Sequence, residues 1–266
     1  MRRAVLDTPI LAAALFFLAS LAGGFGTPAR ADEEPLLVFA AASLGGPLDS
    51  LASRYMAATG TPILIAYGAS GSLAQQIRIG ADVDLFISAD ISWIVRLAAD
   101  QNSPILHWEP FLRNQLVMIT STDLDHRTRA FGPLDGPTIG KIAIADPEAA
   151  PAGRYARTYL QRIGVYDRVR AKLVIQEDVR GVINAVRLGV VDVGLAYASD
   201  AAITGKVRVV EVIADSLYPP IVYGLATMKG GRAEATRKLV DFLHSPDAAA
   251  LFTKSGFVID SLIDDE

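Results

Sequence analysis

Apolar and polar positions divide the chain into short apolar runs that alternate with segments of helical periodicity. The run 36–41, LLVFAA, is continuous and apolar, which predicts a buried strand. Residues 47–58 carry apolar side chains at helical spacing, and Gly60 is a candidate C-cap. The alternation continues, with strands predicted at 63–66, 84–88, 116–120, 141–145, 173–176, 193–197, 207–213 and 222–228, and helices at 73–79, 91–99, 155–163, 180–188, 232–244 and 246–254.

This alternation determines the expected fold class. Strands that alternate with helices predict parallel pairing and an α/β layer architecture. Two successive series of this kind, similar in length, predict two lobes. Ligands of open α/β sheets bind at the carboxyl ends of strands, next to helix N-termini, so two facing lobes would present two such edges across a cleft.

The N-terminus has the pattern of a secretory signal peptide. Arg2 and Arg3 precede the apolar stretch 10–22, and Ala29-Arg30-Ala31 matches the small-x-small cleavage pattern. The apolar stretch is too short to span a bilayer comfortably, so a cleaved signal peptide at 1–31 is favoured over an uncleaved membrane anchor. Its removal takes away three arginines and Asp7, which changes the net charge from −4 to −6.

Composition and charge exclude several classes of protein. Apolar residues make up 51% of the chain, which is enough for a substantial core. The negative net charge and the absence of basic runs argue against a nucleic-acid partner. The chain has no cysteine, which excludes disulfides, thiolate metal sites and a cysteine nucleophile. It also excludes an acylated N-terminal cysteine, so we expect a soluble periplasmic protein without a lipid anchor.

The segment 67–77, YGASGSLAQQI, runs from a predicted strand into a predicted helix through small and hydroxylated residues. The first N–H groups of a helix have no intrahelical partner, and the helix dipole is positive there. Small residues let a ligand approach these groups, which makes the turn a candidate anion site. A serine before a helix is also a common N-cap, so this motif alone leaves both interpretations open.

The same arrangement occurs at three further turns. Each is a strand exit rich in small or polar residues at a helix start, namely FAAASL at 39–44, ADPEAAPAG at 145–153 and EDVRG at 177–181. Any one of them could be purely structural. Four such turns in one chain favour convergence on a single oxyanion.

These motifs, in this order, resemble the periplasmic molybdate-binding proteins of ABC importers. The similarity is carried by FAAASL, YGASGSLAQQI followed by ADVDLFISAD, ADPEAAPAGRYA, EDVRG and GLAYASDA, and it extends from about residue 37 to 257. The resemblance implies a type II periplasmic binding protein, an α/β fold of two lobes. Each lobe would be a mostly parallel sheet flanked by helices, and two crossing strands would join them. We expect lobe I at 32–113 plus 218–266 and lobe II at 114–217.

The resemblance also implies the ligand and its contacts. Ser43 and Ser70 would each offer a hydroxyl and an N–H, Ala152 and Val179 an N–H, and Tyr197 its phenol. Molybdenum would be held only as molybdate by these neutral donors, and tungstate would bind as well. No other metal, cofactor or catalytic residue is expected. The implied partners of this monomeric protein are an ABC permease and its ATPase at the inner membrane.

Other functions remain as alternatives. Another tetrahedral oxyanion such as sulfate could be the ligand, since a sequence does not give the size of a pocket. A serine hydrolase is disfavoured, because neither Ser43 nor Ser70 has a histidine nearby in sequence and no G-x-S-x-G elbow is present. An interaction protein without a small ligand would leave the donor turns unexplained. Arg154 and Arg180 could pair with the ligand, but solvent or a carboxylate is the favoured partner.

Overall fold

The computed structural model describes residues 34–123, 133–230 and 232–259, which together form one compact unit. The predicted signal peptide lies outside the described residues. None of the helices in the described ranges has the length and apolar character that a membrane span requires.

The first of two sheets has five strands in the order β2-β1-β3-β10-β4. Strand β1 pairs in parallel with β2 and β3, whereas β10 is antiparallel to β3 and β4. Five helices lie between these strands in sequence or follow the last of them. The strands are β1 (Leu36–Ala41), β2 (Ile63–Gly68), β3 (Leu85–Ser88), β4 (Ile105–Asn114) and β10 (Ile221–Met228), and the helices are α1 (Gly45–Thr59), α2 (Ser70–Arg78), α3 (Ile91–Ala98), α8 (Ala233–Leu243) and α9 (Pro246–Lys254).

The second sheet repeats this plan with the order β7-β6-β8-β5-β9. Here β6 is parallel to β7 and β8, and β5 is antiparallel to β8 and β9. The strands are β5 (Leu116–Ser121), β6 (Ile142–Ala145), β7 (Leu173–Gln176), β8 (Val193–Tyr197) and β9 (Val207–Val212), and the helices are α4 (Pro151–Arg162), α5 (Tyr166–Val169), α6 (Val179–Arg187) and α7 (Ala198–Ile203).

The chain crosses between the sheets twice, and a hydrogen bond joins the two crossing segments. It leaves the first sheet where β4 ends at Asn114 and enters β5 at Leu116, and it returns between β9 and β10. Tyr218, on the returning segment, accepts a hydrogen bond from the N–H of Leu116 (3.2 Å) and donates one to Asp215 (2.6 Å). The two crossings are therefore tied together at the base of the cleft.

The predicted α/β plan with two sheets agrees with this topology. The pairing, however, is mixed rather than mostly parallel, because the strands that follow the crossings enter each sheet antiparallel to a neighbour. The sequence pattern also missed β4, whose HWEPF segment at 107–111 mixes polar, aromatic and proline residues. The lobe boundaries remain a prediction; β4 extends one residue past the expected end at 113.

Local sequence explains how the helices at the cleft begin. Helices α3 and α6 carry aspartate N-caps, since Asp90 accepts from the N–H of Ser92 (2.7 Å) and Asp178 from that of Gly181 (3.0 Å). Helices α2 and α4 have alanine N-caps, Ala69 and Ala150, whose side chains cannot accept a hydrogen bond. The first N–H groups of these two helices therefore receive no side-chain cap.

We predict that Gly153→Ala destabilises the fold by about 1–3 kcal/mol, the usual cost of overpacking. Gly153 lies in the first turn of α4, where a Cβ would overlap the main chain of Ala145 and Asp146 at the end of β6. Urea unfolding checks this result. Gly205→Ala is the matched control because a Cβ there meets nothing within 4 Å. Equal stability of the two variants would contradict the prediction.

Candidate functional site

The five residues predicted to bind the ligand line one cavity between the two sheets. Its walls are strand-to-helix turns, most of them built from small residues. The lining consists of Ala41, Ala42, Ser43, Gly68, Ala69, Ser70, Ala89, Ala150, Pro151, Ala152, Asp178, Val179 and Tyr197. The structure thus brings together all five predicted residues from both sheets.

Ser70 is the first residue of α2 and not its N-cap, which decides one question that the sequence left open. Its side chain is 1% exposed, and its hydroxyl oxygen accepts a hydrogen bond from the N–H of Ala89 (3.0 Å). That bond uses a lone pair of the oxygen and leaves the hydroxyl proton available for donation. Ser70 therefore lines the cavity and does not cap the helix.

The hydroxyl of Ser43 also forms a hydrogen bond within the protein. Ser43 lies in the single 3₁₀ turn 42–44 between β1 and α1, and its side chain is 2% exposed. Its hydroxyl oxygen is 2.7 Å from the phenol oxygen of Tyr223, a residue of β10. The position of the Ser43 side chain is therefore fixed by a strand that is distant in sequence.

Ala152 and Val179 contribute main-chain N–H groups. Ala152 is the second residue of α4, and Val179 is the first residue of α6. Both precede the first residue whose N–H can bond within its own helix, so these N–H groups need an acceptor from elsewhere. Both residues are buried and both line the cavity.

Tyr197 carries the clearest sign of a missing partner. Its side chain is 1% exposed, and its hydroxyl has no hydrogen-bond partner within the described ranges. A buried hydroxyl without a partner costs about 1–3 kcal/mol. Burial raises the pKa of Tyr197 well above its usual value, so the phenol keeps its proton and remains a donor. The Tyr197 hydroxyl is therefore available to donate to an acceptor.

No basic side chain lines the cavity in the described part of the chain. Arg154 forms an ion pair with Asp90, as the preference for a carboxylate predicted. Arg180 is exposed to solvent, the other partner that was predicted, and it also makes two contacts. Its Nε donates to the carbonyl of Ala42 (2.8 Å), and its guanidinium lies 4.5 Å from the ring centroid of Tyr67, because the carbonyl and the ring both lie within its reach.

These arginine contacts also connect the two sides of the cleft. Arg154 and Arg180 begin helices of the second sheet, and their partners belong to the first. Between them, the N–H of Gly71 donates to the carbonyl of Ala149 (2.9 Å), again across the cleft. A Cβ at Gly71 would overlap Ala149 and Trp93, so glycine permits this close approach. The structure therefore shows the cleft closed over the cavity.

Three further residues at the cavity were not predicted from sequence. Asp178 lines it, but one of its carboxylate oxygens accepts from the N–H of Gly181 and so caps α6. Tyr223 on β10 contacts Ser43, and Asn114 at the end of β4 donates to Tyr223. Asp178 could have been found from its N-cap position in EDVRG, whereas Tyr223 and Asn114 follow only from tertiary structure. Within the described ranges, no group of three metal-ligating side chains could hold a metal ion.

The buried carboxylate of Asp200 is bonded to the main chain of Tyr197. Asp200 lies in α7 and accepts a hydrogen bond from the N–H of Tyr197 (3.2 Å). Burial is the largest cause of its perturbed pKa, which rises to about 7, and the charge of Asp178 adds to the effect. The N–H of Tyr197 and the charge of Arg180 act in the opposite direction. Asp200 therefore titrates near neutral pH beside the site.

Comparison with known proteins identifies relatives over nearly the whole chain. A family model described as bacterial extracellular solute-binding protein matches residues 36–258. The molybdate-binding protein ModA of Escherichia coli is 32% identical over 92% of this chain and 97% of its own length. A putative ABC transporter substrate-binding lipoprotein of Bacillus subtilis, YvgL, is 33% identical over 72% of this chain and 73% of its own length.

A solved structure agrees with the sequence relatives. The periplasmic molybdate-binding protein of Azotobacter vinelandii superposes with a TM-score of 0.74 and 25% identity, covering 85% of this chain and all of that chain. The predicted fold class, an α/β type II periplasmic binding protein, is confirmed by this match. The relatives are binding proteins of transport systems. This confirms the prediction that the chain is a binding protein and not an enzyme.

We predict that Asp200 makes stability fall as pH rises from about 4 to about 7. Its pKa in the folded state, about 7, lies above the ordinary aspartate value of 3.8, so in this window the folded state binds a proton that the unfolded state has lost. The slope at its steepest is about 1.4 kcal/mol per pH unit. Asp200→Asn keeps an acceptor for the N–H of Tyr197, and its urea-unfolding curves should lack this contribution. Parallel pH profiles for both proteins would contradict the prediction.

Proposed function

Because the chain belongs to the family of bacterial extracellular solute-binding proteins, we propose that it is the substrate-binding component of an ABC importer for molybdate. Ser43, Ser70, Ala152, Val179 and Tyr197 would hold the oxyanion in the cavity. The single observation that carries this proposal is the buried hydroxyl of Tyr197, which has no partner among the described residues and belongs to a residue that lines the same cavity as the other four.

The energetics of the cavity support an anion as the ligand. A dianion removed from water needs many hydrogen bonds to offset its lost hydration. Three hydroxyls and the N–H groups at the helix starts supply about seven donors, each contributing about 1.5–3 kcal/mol to a charged acceptor. The donors are already held in place by Ala89, Tyr223 and the helix starts, so little reorganisation accompanies binding.

The proposed site accepts any tetrahedral dianion of suitable size. Tungstate has the charge and shape of molybdate, so we propose that it binds as well. Sulfate has the same charge and a smaller radius, and it is the second candidate ligand. The names of the similar proteins favour molybdate over sulfate.

The proposed setting is the periplasm, reached through a cleaved signal peptide at 1–31. The relative YvgL is described as a lipoprotein, but this chain has no cysteine that could be acylated. The partners would be an ABC permease and its ATPase at the inner membrane, and the protein would act as a monomer. Molybdenum would be present only as the transported oxyanion.

A serine hydrolase is not supported by the site. Ser43 contacts Tyr223 and Ser70 accepts from the N–H of Ala89, so neither serine is paired with a base. No histidine is among the residues that line the cavity in the described part of the chain.

We predict tight one-to-one binding of molybdate and tungstate by the protein purified from residue 32 onward. The protein should be unfolded and refolded first, to remove ligand carried through purification. Calorimetric titrations with molybdate, tungstate, sulfate and phosphate provide the measurement. If sulfate binds and molybdate does not, the ligand is sulfate and the molybdate proposal is wrong. If none of the four anions binds, the oxyanion function is excluded.

We predict that Ser70→Ala weakens molybdate binding by about 1.5–3 kcal/mol, because it removes one hydroxyl donor to a charged ligand. That range corresponds to an affinity loss of about 10- to 150-fold in the same calorimetric titration. Ser50→Ala is the matched control, since Ser50 lies on α1 and its exposed hydroxyl bonds only to the carbonyl of Gly46. An unchanged affinity in Ser70→Ala would remove this side chain from the site.

A further inference from the structure

A chain of buried hydrogen bonds runs from the crossing between the sheets to Ser43. The amide nitrogen of Asn114 is 3.1 Å from the phenol oxygen of Tyr223, and that oxygen is 2.7 Å from the hydroxyl of Ser43. Asn114 is the last residue of β4, where the chain leaves the first sheet. Asn114, Tyr223 and Ser43 are all buried, so the protons along this chain have few alternative partners.

The orientation of the Asn114 amide is fixed by its neighbours. Its carbonyl oxygen accepts a hydrogen bond from the N–H of Gln115 (2.9 Å), so a flipped amide would place two donors against each other. Its nitrogen therefore donates both protons, one to the hydroxyl of Ser199 (2.8 Å) and one to Tyr223. Asn114 consequently acts toward Tyr223 only as a donor.

The direction of the next bond follows from this orientation. Tyr223 accepts from Asn114, and its own proton then needs an acceptor. Among the described residues, the phenol oxygen bonds only to Asn114 and Ser43, so Ser43 receives the proton. In the reverse arrangement Ser43 would donate to Tyr223, and the Tyr223 proton would be buried without an acceptor at a cost of about 1–3 kcal/mol.

We propose that Tyr223, oriented by Asn114, is a positioning residue that fixes Ser43 as a hydrogen-bond donor to the ligand. Ser43 uses a lone pair for Tyr223 and keeps its proton for the cavity, the same division that the N–H of Ala89 imposes on Ser70. The inference rests on the proposed oxyanion function. It adds that Asn114 and Tyr223, and not the ligand, determine the direction in which the Ser43 hydroxyl donates its proton.

The test is a double-mutant cycle on Tyr223 and Ser43, with molybdate affinity measured by calorimetry. Tyr223→Phe keeps the ring and removes the bond, so affinity should fall about fivefold to tenfold, the usual effect of one lost hydrogen bond. In a Ser43→Ala background the same change should alter affinity less than twofold, because the proton that it positions is already absent. A role in packing alone would give equal losses in both backgrounds and would overturn the proposal.

Tyr218→Phe is the matched control for loss of a buried phenol at the crossing. Its hydroxyl contacts Leu116, Asp215 and the carbonyl of Ile213, and among the described residues it has no bond to a cavity residue. Its molybdate affinity should stay within twofold of wild type, and thermal unfolding of each ligand-free variant should show that the fold is kept. A loss equal to that of Tyr223→Phe would indicate a general effect at the crossing and would contradict the proposal.

A second variant reverses the polarity and applies even where Tyr223→Phe does not fold. In Asn114→Asp, a carboxylate oxygen replaces the amide donor and accepts the Tyr223 proton. Tyr223 must then accept from Ser43, which takes the serine proton away from the cavity. Adding Ser43→Ala to Asn114→Asp should cost no further affinity, whereas Ser43→Ala alone should cost about tenfold. An unchanged cost of Ser43→Ala in the Asn114→Asp background would refute the positioning role.

The outcome separates this inference from the proposed function. Wild-type affinity for molybdate tests the function, and the dependence of one mutation on the other tests the positioning. If wild type binds sulfate or another anion instead, the molybdate proposal fails, but the cycle with that anion still decides the role of Tyr223. If no tetrahedral oxyanion binds, both proposals fall.

Discussion

A buried hydroxyl that lacks an acceptor, that of Tyr197, is the constraint around which the rest of the site is arranged. Its cost is offset only when an acceptor enters the cavity, and the residues around it present hydrogen-bond donors to that position. Ser70 already uses its oxygen as an acceptor toward the protein, and the proposed direction of the Tyr223–Ser43 bond would leave Ser43 with a proton to give as well. A cavity with this excess of donors is complementary to a fully deprotonated anion and carries no positive charge of its own.

The two mixed sheets explain how donors so far apart in sequence reach one point. In each sheet the parallel strands end at the cleft. Helices or 3₁₀ turns begin there, so their first N–H groups lie at the cleft as well. The alanine caps of α2 and α4 leave these groups without side-chain partners. Arg154 of α4 and Arg180 of α6 bond across the cleft and not into the cavity, so closure and ligand contact depend on different residues.

Local sequence patterns were sufficient for most helices and strands, because their apolar periodicity matches their burial. Strands β7 and β8 and helix α9 have the limits that the pattern predicts. Strand β4 was missed because an edge strand with Pro110 and several polar residues has no such pattern. The five cavity residues were found through their motifs, but the resemblance supplied their roles. The contact of Tyr223 with Ser43 joins residues 180 positions apart and has no local signal.

About half of the residues that line the cavity have no side chain beyond a methyl group. Six of the lining residues are alanines and one is glycine, so the size of the space is determined by how closely the backbones of the two sheets approach. Substitutions at these positions can add atoms and narrow the space, but hardly any side-chain atoms remain to be removed. An evolutionary route to a larger ligand would therefore have to move the backbone, whereas a smaller ligand could be accommodated by single added methyl groups.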